Sequence, residues 1–80
     1  MDRTAVNEMI DKVEVAIAKT KRVQRMAKME AQRRRKHDAE WMEDEVFHLI
    51  NETGSNLIEA VYMLENALSK LDELVYEGHI

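Results

Sequence analysis

Apolar residues recur along this chain at alternating spacings of four and three. Val6, Ile10, Val13 and Ile17 begin the series. That interval is the period of one helical face, so a helix is predicted from about residue 4. Thr20 and Gln24 continue the phase, and Ala27 and Ala31 lie near it. Ala5, Met9, Ala16 and Val23 widen the face on one side, which suits a bundle better than a two-stranded seam. Asp2 or Thr4 can cap the start.

A second series, Leu57, Val61, Leu64, Leu68, Leu71 and Val75, keeps the same alternation and predicts a helix over about 56–77. Two stretches separate the series. Gln32 to Asp38 holds no apolar residue, but also no Gly or Pro. Asn51 to Asn56 holds Gly54, which suits the left-handed residue past a helix end, followed by Ser55 and Asn56 as candidate caps. Five helical turns take eighteen residues, and Val6, Gln24 and Met42 fall on that spacing, as do Val13, Ala31 and Leu49. The expectation is one helix over about 4–51, roughly 70 Å long, then a turn at 52–55. A bend near 33–38 is the alternative. Glu77-Gly78-His79-Ile80 reads as a frayed end.

The expected fold is therefore all-α: a single domain over 1–80, with a long N-terminal helix and an antiparallel C-terminal helix. A last helix of about 22 residues would bring Leu71 near Arg35 and reach back only to Ala31. Val6, Ile10, Val13 and Ile17 would then lack cover and form an oligomer interface. A symmetric homodimer completing a four-helix bundle is the simplest closure. A bend would instead permit a closed three-helix monomer.

Charge sharpens the picture. Residues 1–18 carry a net −2, residues 19–36 a net +8 and residues 37–80 a net −10. The modest total of −4 hides this segregation. In the expected register Asp72, Glu73 and Glu77 would lie beside Arg33, Arg34, Arg35 and Lys28. Alternatively, Lys19, Lys21, Arg22, Arg25, Arg33, Arg34, Arg35 and Lys36 could hold nucleic-acid phosphates. None of the four aromatic residues is interleaved with these bases for stacking.

Composition narrows the chemistry. The absence of Cys excludes disulfides and thiolate sites. No apolar run approaches a membrane span, and the first residues lack a signal-peptide core, so a soluble, cytoplasmic protein is expected. Glu45-x-x-His48 has the spacing of a di-iron bundle ligand pair, but a complete site needs two such motifs and further carboxylates. Glu40-x-x-Glu43 has half the carboxylate pattern of all-helical nucleotide pyrophosphohydrolases, with no Glu-x-x-Asp after it. No phosphate-cradling Gly-rich loop and no nucleophile triad can be assembled. No enzyme activity, cofactor or metal is expected. Six Met in eighty residues suit adaptable surfaces, and Val15, Met26, Met29 and Phe47 project away from the main stripe as candidate partner-binding residues. The functional expectation is a small homodimeric adaptor, regulator or inhibitor of bacterial, phage or plasmid type that binds another protein. Nucleic-acid binding through residues 19–37 is the alternative.

Overall fold

The computed structural model describes residues 2–78. Two long helices fold back on each other: α1 spans Arg3–His37 and α2 spans Glu45–Tyr76. A short 3-10 turn, Trp41–Glu43, lies in the connection. Among the described residues there is no strand. The molecule is a rod of 57 × 15 × 14 Å. Its length matches the roughly 50 Å that each helix spans at 1.5 Å per residue. The helices therefore lie side by side over nearly their whole length.

The reversal falls at 38–44, not at 52–55. Asp38 ends α1 in extended backbone, with its N–H donating to the Arg34 carbonyl. Its own carboxylate accepts from the Glu40 N–H at 2.9 Å, a turn typical of aspartate. Asp44, again extended, caps α2 by accepting from the Val46 N–H at 2.9 Å. Asp2 does the same for α1, taking the Ala5 N–H at 2.7 Å. Two aspartates thus supply the punctuation that the polar run alone did not advertise.

The expected helix over 4–51 and the turn at 52–55 are both corrected. Asn51-Glu52-Thr53-Gly54-Ser55-Asn56 lies inside α2. Thr53 and Ser55 donate their hydroxyls back to the carbonyls of Leu49 and Asn51, so they stay within the helix. Gly54 faces the other helix: a Cβ built there would lie 3.8 Å from the Ala27 Cβ. It therefore belongs to the seam, in phase with Phe47, Ile50 and Leu57. His79 and Ile80, where a frayed end was expected, lie outside the described residues.

The register follows from Ala27 opposite Gly54 and from the ion pair of Lys21 with Glu65 at 3.5 Å. On α1 the seam runs through Val6, Ile10, Val13, Ile17, Thr20, Gln24, Ala27, Ala31 and Arg34. On α2 it runs through Phe47, Ile50, Gly54, Leu57, Val61, Leu64, Leu68, Leu71 and Val75. All of these positions are buried or half-buried. Val6, Ile10, Val13 and Ile17 were expected to be uncovered because α2 would be short. With α2 beginning at Glu45, they face α2 within the same chain. Among the described residues only Val6, Ala31, Phe47 and Val61 are buried outright. Full burial of a Val or Phe side chain contributes about 1.5–3 kcal/mol, so four buried residues make a thin core.

Gly54 offers a direct check of this geometry. A glycine within a helix costs about 0.5–1 kcal/mol relative to alanine, and the new methyl group would meet Ala27 at ordinary contact distance. Gly54→Ala is expected to stabilise the hairpin by about that amount, seen as a higher melting temperature by circular dichroism. A lower melting temperature would mean that the helices approach too closely there for a side chain.

Candidate interaction surface

Helical phase gives the rod two unlike sides flanking the seam. One side carries Asn7, Glu14, Lys21, Lys28 and Arg35 from α1, and Asn51, Ile58, Glu65 and Asp72 from α2. The Lys21–Glu65 pair bridges the helices here. A half-open groove of about 240 Å³ lies on this side. Ala27, Ala31 and Gly54 leave it unfilled, with Phe47 and Ile58 in its walls and Lys28 and Arg35 along it.

The other side is largely apolar. α1 contributes Met9, Ala16 and Val23, with Glu30 as the one charge; α2 contributes Val46, Thr53, Ala60, Ala67 and Leu74. Met26, Leu49 and Met63 stand one position further out on that side, and all three are exposed. Met63 is 71% exposed and Met26 61%. A rod in water seldom leaves such a stripe exposed, because the transfer of apolar surface out of water is its main source of stability.

The expected partner-binding residues divide. Met26 is on the apolar side. Val15 and Met29 are also exposed, but further round the outer face of α1. Phe47 is a correction: it is 5% exposed and belongs to the core. Its ring packs edge-on to Trp41, with centroids 5.1 Å apart. Reading α2 as a continuation of the first helix had turned Phe47 outward; starting α2 at Glu45 turns it inward.

The basic residues also divide. Arg34 is half-buried at the end of the seam and donates from Nη1 to Asp44 Oδ2 at 3.1 Å. Its Nε sits 3.3 Å from Glu30 Oε1 but is not aligned for a hydrogen bond. Arg33 is paired with Glu30. Arg35 lies over the Trp41 ring, 4.7 Å from its centroid, a cation–π contact. These three arginines are thus engaged around the turn. The expected placement of Asp72, Glu73 and Glu77 beside them is corrected, since the register puts those acids near the level of Met9. Lys19, Arg22, Arg25, Lys28 and Lys36 are exposed and form no ion pair with a described residue.

The charges at the turn feel this arrangement. Burial works against the Asp44 carboxylate, yet the N–H groups of Phe47 and Val46 together with Arg34 hold its pKa below the usual value. The Arg33 hydrogen bonds, foremost, hold Glu30 below its usual value. His48 places Nε2 on the Met42 carbonyl; a carbonyl only accepts, so Nε2 carries the hydrogen. Among the described residues no group of three or more His, Asp or Glu is placed to hold a metal ion. No described helix is long and apolar enough to cross a membrane. No protein-family model, curated protein or solved structure matches the chain.

The lowered pKa values set a direction for pH dependence. A carboxylate with a depressed folded pKa stabilises the fold fully above its unfolded value. That contribution disappears as pH falls through the folded value, here below about pH 4. Asp44→Asn keeps a capping oxygen but loses the charge. It is expected to melt below wild type at pH 7, with the gap closing as pH falls below the ordinary carboxylate range. A gap that stays constant across this range would show that the Asp44 charge contributes nothing.

Proposed function

We propose that this protein is a helical interaction module that works by docking its apolar side against another helical surface, with no chemistry of its own. The roles open to such a module are those of an adaptor, a regulator or an inhibitor of a larger macromolecule. The observation that carries the reading is the segregation of the two sides. Val23, Met26, Val46, Leu49 and Met63 are all exposed on one side, while the pair that bridges the helices, Lys21 with Glu65, lies on the other. Methionine and small residues there suit an adaptable surface. A photo-crosslinking amino acid at position 26 or 63 is expected to yield protein adducts of higher mass. The same group at position 25 or 69, away from that side, is expected to yield few. Equal yields from both pairs, or none from either, would remove the reading.

Nucleic-acid binding stands as a second reading, favoured by one observation. Lys19, Arg22, Arg25 and Lys36 form an exposed ridge along the outer face of α1, with no ion pair to a described residue. Lysine and arginine neutralise phosphates in a salt-dependent manner. If the reading holds, wild type shifts DNA or RNA at low salt, and Lys19→Glu with Arg25→Glu abolishes the shift. Absence of any shift from wild type would dispose of it. Arg34 and Arg35 are poor choices for that test, because their replacement disturbs the turn.

A further inference from the structure

A second copy of the chain is the occupant that the apolar side fits best. The inference rests on the interaction reading above and names its partner. The hairpin exposes 6358 Å². A compact protein of 9.4 kDa would expose about 5,000 Å² by the usual scaling of surface with mass. A dimer as compact as an ordinary protein of twice that mass would bury roughly 4,000 Å² in total, within the range of obligate homodimers. The face is also shaped for helices. Ala16, Ala60 and Ala67 allow close approach, while Met9, Val23, Val46 and Leu74 lie on either side of them as bundle layers.

The charged rows along the outer edges of that side decide the orientation. On α1 the edge carries Lys12, Lys19, Arg22, Arg33 and Lys36 against Glu8. On α2 it carries Glu45, Glu52, Glu59 and Glu73 against Lys70. Two face-to-face arrangements have two-fold symmetry. An axis across the rod sets α1 on the partner's α1 and α2 on the partner's α2, bringing base to base and acid to acid. An axis along the rod sets α1 over the partner's α2, bringing base to acid, with both turns at the same end. Like charges in apposition oppose association, and opposite ones select partner and register.

We infer that two copies associate through their apolar sides as a two-fold four-helix bundle, with α1 of each chain over α2 of the other and both turns at one end. In this register Arg22 of one chain lies level with Glu59 of the other.

The test joins a mass to a distance. Light scattering over a range of concentrations is expected to give twice the chain mass. The chain has no cysteine, so Glu40→Cys places a single spin label on the turn. Paired turns predict a label separation of about half the 57 Å rod or less; separation near the full rod length would overturn the orientation. Arg22→Glu is expected to weaken the dimer by about tenfold, because it acts twice in a symmetric interface. Adding Glu59→Arg is expected to restore it; no rescue would also count against the orientation. Both positions are exposed, and retained helicity confirms that the variants fold. A folded monomer at every concentration would overturn the second copy as occupant. It would leave the interaction reading to its crosslinking test, where adducts to a different protein would then be the outcome.

Discussion

An arginine held between two helices needs a carboxylate to meet it, and at the closed end of this rod that carboxylate also starts a helix. Arg34 occupies the last seam position of α1 and reaches Asp44, whose other oxygen caps α2. One interaction therefore ties the end of one helix to the beginning of the next. Trp41 closes the outside of the turn, packed on Phe47 and covered by Arg35. Had Phe47 entered the seam one residue earlier or later, every apolar position of α2 would rotate away from α1. The register of both helices depends on this small polar and aromatic cluster more than on any pair of leucines.

The same phase sorts the surface. Because both helices turn in the same sense and run in opposite directions, corresponding flanking positions meet on the same side. One side gathers the bridging charges, and the other gathers alanines, valines and methionines. Two helices can cover each other only along one stripe, so most of the leucines of α2 remain half-buried. The thinness of the core and the breadth of the apolar side are two views of one fact: the apolar repeat is wider than the stripe that two helices can cover.

The fold class was legible from the four-three alternation, which needs no tertiary information. The place of reversal was not. Gly54 resembles a helix stop when read locally, yet it continues the interval set by Phe47 and Ile50 and leads into Leu57. The space against Ala27 explains its presence, and that space exists only once the helices are paired. Asp38 and Asp44 carried the missing signal, since aspartate competes for backbone N–H groups and favours caps. The eighteen-residue coincidences misled: Met42 falls in the turn and Leu49 on the exposed flank of α2, so neither continues the seam of Val6 and Val13. The outward placement of Met26 and Met29 survived the shift in boundary, as they lie in α1; Phe47 did not, as it lies next to the break. The apolar side itself was visible in part, through Met9, Ala16 and Val23, but its α2 half required the register.

Contacts in a hairpin become more distant in sequence with each step away from the turn. Closing the chain at Ala27 and Gly54 encloses fewer than about 30 residues, whereas the level of Val6 encloses about 70, and closure entropy rises with the logarithm of that length. Formation proceeds most cheaply as a zipper that starts at Trp41 and ends at the termini. The reverse process begins where the zipper ends. Val6, fully hidden at rest, thus sits at the end that local opening reaches first. Amide exchange in this rod would be graded along its axis, slow beside the turn and fast beside the most deeply covered side chain.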